Sequence, residues 1–184
     1  MIRKPPAVRL ATPTDIEPLF WLLMRDLTND NPMGVAISPT KILALVKVCC
    51  NGNGGVAGVI EEKGKIIASV GITVAQHDLS DTDFLKQVWL FVVPAARKKH
   101  PEYAQKLFKF CLWHKGDMSR RLGYDVPLEI SVMSRKRLPA KLRMWGRYGD
   151  MVGAVFWARE VDEHRQQVDN HPVEPTLPGV TGSL

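Results

Sequence analysis

The sequence predicts a single-domain α/β (α+β) fold: a mixed, mostly antiparallel central sheet with helices on both faces. Three observations predict it. Strand-like and helix-like periodicities alternate in the order β, α, α, β, β, β, α, β, α, β. Two apolar runs flank a short turn that contains glycine, as in an antiparallel hairpin. One strand is apolar almost throughout, which is typical of a strand covered on both sheet faces.

The composition is that of an ordinary globular protein, with 45% hydrophobic and 24% charged residues in 184. The first 15 residues contain no apolar run of signal-peptide length, and the run over 88–93 is far shorter than the roughly 20 residues that span a bilayer. The three cysteines form no closed disulfide framework. We therefore expect a soluble cytoplasmic protein, and the net charge of +6 favours an acidic ligand or partner.

The first half of the chain reads as a strand, two helices and a hairpin. A strand over 7–10 precedes a helix, for which Thr14 and Glu17 have the spacing of a capping box. Ser38 and Pro39 are typical of the start of a second helix, which ends near Gly52. The hairpin strands are predicted over 56–61 and 66–74, with the turn over 62–65.

The second half begins with a polar loop over 78–83 and a buried strand over 87–93, followed by a basic loop. The remaining helix, strand, helix and strand are predicted over 101–122, 127–133, 138–148 and 152–158. Residues 161–184 are polar, contain three prolines and lack aromatic side chains, which predicts a flexible tail. The predicted organisation is thus a domain over 1–160 and a tail over 161–184.

The motif that carries a family resemblance joins the apolar strand to the following helix. It runs through Leu90, Val92, Val93 and Pro94 to Arg97, Lys98, Lys99, Ala104 and Leu107. Together with the element order over roughly residues 7–158, it resembles the GNAT N-acetyltransferase superfamily, in a glycine-poor form similar to phage-encoded members. The resemblance implies acetyl-CoA as the acyl donor and a sheet with splayed fourth and fifth strands. The chain departs from the family by lacking its glycines and by about two extra residues before Ala104.

The resemblance also implies a coenzyme site at this junction. A helix N-terminus presents N–H groups and a partial positive charge, which suit the pyrophosphate of coenzyme A. The backbone of Val92 and Val93 can pair with the pantetheine amides as an added strand would. The predicted coenzyme-binding residues are Val92, Val93, Arg97, Lys98, Lys99, His100, Glu102, Tyr103 and Ala104. A charged turn that only caps a helix explains the same basic residues.

The catalytic residues are predicted from the last helix, through the resemblance, and from the fifth strand, through its alternation. The segment over 144–149 resembles the last-helix pattern of the family, with Trp145 at the usual tyrosine position. Because an indole N–H is not a usable acid, Tyr148 is the predicted proton donor to the departing thiolate. Period-two alternation places Glu129 and Ser131 on one face of the fifth strand. Glu129 then either accepts the proton of the amine or is a solvated carboxylate at a strand edge.

Two functions remain open on the sequence alone. The first is acetyl transfer from acetyl-CoA to an amine. The second is a catalytically inactive module of the same fold that binds nucleic acid or a protein through basic residues. That basic cluster comprises Arg135, Lys136, Arg137, Lys141, Arg143 and Arg147, which also fit a solvated helix face. The histidines lack metal-ligand spacing, and Trp21, Trp89, Trp113 and Trp157 are expected in the core or in partly buried packing.

Overall fold

A computed structural model describes residues 7–29, 36–77 and 80–131, together with Arg143 and Gly146. Its elements are β1 (Arg9–Leu10), a 3-10 turn (Pro13–Asp15), α1 (Ile16–Asn29), α2 (Pro39–Asn51), β2 (Gly55–Glu62), β3 (Lys65–His77), β4 (Ser80–Val92), α3 (Pro94–Lys99), α4 (Tyr103–Leu122) and β5 (Leu128–Ile130). The predicted helix over 138–148, the strand over 152–158 and the tail over 161–184 lie outside the described residues.

The five strands form one sheet in the order β1-β2-β3-β4-β5, antiparallel except for the parallel pair β4 and β5. Adjacent residues of a strand point to opposite faces, and here they enter different hydrophobic clusters. Phe91 packs with α1 and α2, whereas its neighbour Val92 packs with α4. Helices therefore cover both faces of a mostly antiparallel sheet, which confirms the predicted fold class.

The two N-terminal helices start and end at local sequence signals. Ser38 Oγ accepts the Lys41 N–H at 3.4 Å, and Gly52 ends α2 with φ of 72°, as predicted. The predicted capping box at Thr14 and Glu17 is wrong, because the chain turns earlier, through the 3-10 turn. The Asp15 carboxylate accepts the Thr12 N–H at 2.8 Å and is held by Arg9 at 2.7 Å.

The hairpin of β2 and β3 is confirmed, and its two-residue turn has positive φ at Lys63 (51°) and Gly64 (74°). The predicted polar loop over 78–83 is wrong where it is described, because β4 already begins at Ser80. Pairing with the antiparallel strand β3 makes β4 longer than its apolar residues alone predict. Gln76 Nε2, for example, donates to Asp83 Oδ1 at 3.0 Å across the pair.

The basic loop predicted after β4 is wrong, since the residues form the short helix α3. Pro94 occupies its first position, where a missing N–H costs nothing, and Ala96 is buried beneath it. The cations Arg97, Lys98 and Lys99 lie in the last turn, where the helix dipole favours positive charge. The basic residues are therefore held on a helix with a defined orientation.

The tryptophans are distributed differently from the expectation. Trp89 is buried, but Trp21 and Trp113 are 61% and 58% exposed, so their predicted packing is wrong. Both lie on helices, where aromatic residues on the outer face do not disturb the apolar face. Trp157 lies outside the described residues. Over the ranges that the structure describes, no helix is both long and apolar enough to cross a bilayer.

Candidate functional site

A β-bulge in the middle of β4 defines the first part of the site. Gly71 pairs with Trp89 and Ile72 pairs with Gln87, so Val88 has no partner residue on β3. The Trp89 ring lies across Gly71, and its Nε1 donates to Ser69 Oγ at 3.1 Å. A bulge bends its strand and removes backbone groups from the ladder. The backbone of β4 therefore changes direction at Val88.

The bulge coincides with the end of the pairing between β4 and β5. The parallel pair extends only from Leu85 opposite Leu128 to Gln87 opposite Ile130. Within the described ranges, residues 89–92 have a strand partner on the β3 side alone, and Val88 has a partner residue on neither side. Among the described residues, no strand covers the outer edge of β4 from the bulge to its end; this stretch, called here the open edge, is expected of splayed fourth and fifth strands.

The direction of the backbone groups shows which residues face this open edge. The Val93 N–H donates to the Ile67 carbonyl on β3 at 2.8 Å. Because successive residues of a strand direct their N–H and C=O groups to opposite sides, those of Val92 point toward the open edge. The Val92 carbonyl accepts a hydrogen bond from Arg97 Nη2 at 2.9 Å. Of the two valines predicted to pair with pantetheine, Val92 has the suitable orientation.

A cluster of acidic, imidazole and phenol groups lies at the start of α4. The buried Tyr103 hydroxyl donates to Glu62 Oε1 at 2.5 Å, and burial together with this carboxylate raises the pKa of Tyr103 far above its usual range. His100 stacks on the Tyr103 ring with a centroid separation of 4.6 Å. Its Nε2 lies 3.6 Å from Glu62, and its Nδ1 lies 3.3 Å from Glu102.

This cluster gives the predicted coenzyme residues different roles. Arg97, Lys98 and Lys99 are exposed and available to an anion, whereas Tyr103 is a core residue and Ala104 is partly buried against the same core. Glu62 was missed by the sequence analysis, because a glutamate at the end of a hairpin strand carries no signal of its own. Its carboxylate ties the start of α4 to the end of β2 through Tyr103 and His100.

A second cluster of polar side chains lies where β4 pairs with β5. Ser131 Oγ donates to Glu129 Oε1 at 3.1 Å, and Lys86 Nζ lies 3.5 Å from the same oxygen. The Lys86 and Glu129 side chains are 45% and 42% exposed, so solvent or a substrate reaches them. The structure thus brings the predicted residues Glu129, on β5, and Ser131, one residue after β5, together. It adds Lys86, which sequence analysis missed because it placed the start of the strand at residue 87.

Gln87 is the last residue of β4 that pairs with β5, and it lies next to the bulge. It lies two residues from Leu85, whose side chain packs on the α4 side, so Gln87 shares that face. Its side chain is buried, and no described residue donates to its Oε1. Buried acceptors of this kind are uncommon and mark places where a ligand or water donates.

The cysteines are unsuited to carry an acyl group. Cys49, Cys50 and Cys111 are buried and free. Burial raises the pKa of Cys111 to about 12, and burial with the neighbouring Cys50 raises that of Cys49 to about 12. Since the thiolate is the nucleophile, none of the three is reactive near neutral pH.

Several predicted residues lie outside the described part of the chain. They are Tyr148, Trp145, Arg135, Lys136, Arg137, Lys141 and Arg147. Arg143 is described and exposed. The predicted acid and the basic cluster therefore stay predictions.

No family model and no curated protein sequence matches the chain. Solved structures do match. A predicted acetyltransferase from Clostridium acetobutylicum, determined with acetyl-CoA, has 16% identity and a TM-score of 0.54, covering 85% of this chain and 97% of that one. AAC(6')-Iy, in complex with a CoA bisubstrate analogue, has 12% identity and a TM-score of 0.59 over 86% and 99%. A ribosomal-protein-alanine N-acetyltransferase from Brucella melitensis has 12% identity and a TM-score of 0.57 over 85% and 98%.

These likenesses extend over nearly the whole of each matched structure, at identities that report on the fold rather than on the substrate. The chain has the fold of the GNAT acetyltransferases.

Proposed function

We propose that the protein is an N-acyltransferase that moves an acetyl group from acetyl-CoA to an amine. The observation that carries the proposal is the open edge of β4, which begins at the bulge and presents the backbone of Val92. Pantetheine has two amide groups in an extended chain, which an unpaired strand edge binds by β-augmentation. The neighbouring structures solved with acetyl-CoA and a CoA analogue support the same donor.

The basic residues of α3, which follow the end of β4, fit the phosphates of coenzyme A. Lys98 and Lys99 are exposed in the last turn of α3, close in sequence to the N-terminus of the 20-residue helix α4. A helix N-terminus and flanking lysines attract anions. The nearby carboxylates of Glu62 and Glu102 face His100, and Glu62 also binds the Tyr103 hydroxyl. The carboxylates of Glu62 and Glu102 are thus occupied by the Tyr103 hydroxyl and the His100 ring.

In the proposed reaction, the neutral amine attacks the thioester carbonyl carbon, a C–N bond forms and the C–S bond breaks. Glu129 takes the proton that the amine loses, and Ser131 orients its carboxylate. The backbone N–H of Val88, the bulge residue without a partner residue on β3, is assigned to stabilise the oxyanion. Tyr148 donates a proton to the departing sulfur. The products are an N-acetylated amine and the free thiol of coenzyme A.

Acetyl-CoA is expected to stabilise the protein against unfolding, since a ligand that binds only the native state shifts the equilibrium. At about 100 times its dissociation constant, the shift is ~2.7 kcal/mol. The measurement is a urea titration with and without acetyl-CoA, with adenosine triphosphate as a control for unspecific anion binding. An unchanged midpoint at millimolar acetyl-CoA contradicts the proposed donor and leaves the binding-module alternative.

Lys99→Glu is expected to weaken acetyl-CoA binding about tenfold at low salt, because it places an anion beside the proposed phosphate site. The loss shrinks as salt rises and screens the exposed charges. Calorimetry at two salt concentrations measures both effects. Lys109→Glu is the matched control, since Lys109 is also exposed but lies six residues into α4, about 9 Å along the helix from its first residue Tyr103. Equal affinities of the two variants place the phosphates elsewhere.

A further inference from the structure

The carboxylate proposed as the general base already has an amine beside it. Lys86 Nζ lies 3.5 Å from Glu129 Oε1, the oxygen that also accepts the hydrogen bond from Ser131 Oγ. Lys86 and Glu129 are directly opposite each other in the parallel pair of β4 and β5, so the strand register holds the two side chains together. Both side chains are half-exposed. A potential nucleophile and its base are therefore neighbours in the chain's own structure.

The two side chains lie on the face of the sheet opposite α4. Leu85 belongs to the hydrophobic cluster that includes α4, and Leu128 and Ile130 on either side of Glu129 pack against the same cluster. Because adjacent residues of a strand point to opposite faces, Lys86 and Glu129 point away from α4. This is the face on which Glu129 has to receive the amine of an acceptor, and the Lys86 amine is already there.

Lys86 is also close to the proposed position of the thioester. The backbone N–H of Val88, which is assigned to the oxyanion, lies two residues further along β4, or about 7 Å of strand. The flexible four-carbon stem of lysine covers a distance of this size. The Lys86 amine can therefore approach a carbonyl carbon held at Val88 while it stays near Glu129.

We propose that Lys86 is a self-acetylation site, at which the chain transfers the acetyl group of acetyl-CoA to its own amine; this inference rests on the proposed function. The neutral Lys86 Nζ attacks the thioester carbonyl carbon, a C–N bond forms and the C–S bond breaks. Glu129 takes the proton that the nitrogen loses, and the departing sulfur takes up a proton and leaves as the thiol of coenzyme A. The acetylated side chain is a neutral amide, so its ion pair with Glu129 is lost.

Two other lysines serve as internal controls. Lys115 Nζ lies 2.5 Å from Asp125 Oδ1, so this amine also has a carboxylate partner, but it belongs to α4 on the other face of the sheet. Lys109 is exposed on the same helix and reports the uncatalysed reaction of a solvated lysine with acetyl-CoA. Comparison with Lys115 therefore separates the effect of a carboxylate partner from that of a position beside the open edge.

The test incubates the full-length protein with acetyl-CoA in a buffer free of other amines, and peptide mass spectrometry follows the acetylation of each lysine with time. Lys86 is expected to react about 100-fold faster than Lys109 and Lys115, the low end of the usual contribution of a general base. Because the reaction is intramolecular, its first-order rate should not change when the protein is diluted. A rate that falls on dilution means that one molecule acetylates another, which overturns the inference.

Two variants test the assigned roles. Glu129→Gln is expected to slow the acetylation of Lys86 to the rate of Lys109 and to leave the rate of Lys109 unchanged. Lys86→Arg keeps a cation beside Glu129 and is expected to leave only the slow reaction of the other lysines. A rapid reaction of Lys86 that persists in Glu129→Gln contradicts the proposed proton transfer and overturns the inference.

The urea titration with acetyl-CoA separates failure of this inference from failure of the proposed function. If acetyl-CoA stabilises the protein but Lys86 reacts no faster than Lys109, the inference is overturned and the proposed function stands. If acetyl-CoA does not stabilise the protein, the proposed function fails and the inference fails with it.

Discussion

Gly71→Ala is expected to destabilise the fold by about 3 kcal/mol, at the upper end of the usual cost of overpacking a core. An added Cβ would lie 2.5 Å from Trp89 Cε3 and closer still to Cη2 and Cζ3. The ring has little freedom to move, because it is buried and its Nε1 is bonded to Ser69 Oγ. Urea denaturation measures the loss as a lower midpoint with an unchanged slope.

Gly116→Ala is the matched control for this substitution. Gly116 lies inside α4, and a Cβ there meets only Arg120 Nη1, at 3.9 Å. Alanine is a better helix former than glycine, so this variant is expected to be about 1 kcal/mol more stable than the wild type. The double variant Gly71→Ala with Trp89→Phe should recover part of the loss. Wild-type stability of Gly71→Ala alone would mean that the ring does not lie across Gly71 and that the bulge is arranged differently.

Glu129→Gln is expected to lower kcat for acetyl transfer about 100-fold, the low end of the usual contribution of a general base. The amide keeps the shape of the side chain and an oxygen that accepts from Ser131, so the local structure is preserved. The affinity for acetyl-CoA should change little, because the variant lies on the paired part of β4 and β5 rather than on the open edge. Steady-state kinetics with a saturating amine acceptor separates the two quantities.

Ser131→Ala removes only the hydrogen bond that orients the Glu129 carboxylate, and it should lower kcat several-fold. A Glu129→Gln enzyme with wild-type kcat would make Glu129 a solvated partner of Lys86 only.

Local signals in the sequence predicted the structure correctly where one short segment determines its own conformation. Ser38, Pro39 and Gly52 set both ends of α2 through a cap, a fixed φ and a left-handed residue. The hairpin of β2 and β3 follows likewise from its two-residue turn. The helix predicted over 101–122 is present as α4, ended by Gly123 with φ of 77°. In each case the interactions that decide the conformation lie within a few residues of one another.

The predictions were wrong where a segment distant in the sequence decides the local conformation. The early part of β4 is polar and reads as a loop, yet pairing with β3 makes it a strand from Ser80. The basic residues after β4 read as a loop because glycine-rich turns occupy that place in the resembling family, yet burial of Ala96 against the core stabilises α3. Trp21 and Trp113 have core-forming side chains but face outward, because the opposite faces of their helices are the ones that pack.

The candidate site likewise has features that the sequence determines and features that only the tertiary structure decides. The sequence by itself determined the mixed sheet with helices on both faces, the position of the junction from Val92 to Ala104 and the chemistry of its cations. Only the tertiary structure decided that Val92 faces the open edge, that Arg97 caps its carbonyl, that Glu62 joins His100 and Tyr103, and that Lys86 meets Glu129. The physical reason is that strand register and bulges set which backbone groups stay unpaired and which side chains meet across strands, and both depend on segments far apart in the chain.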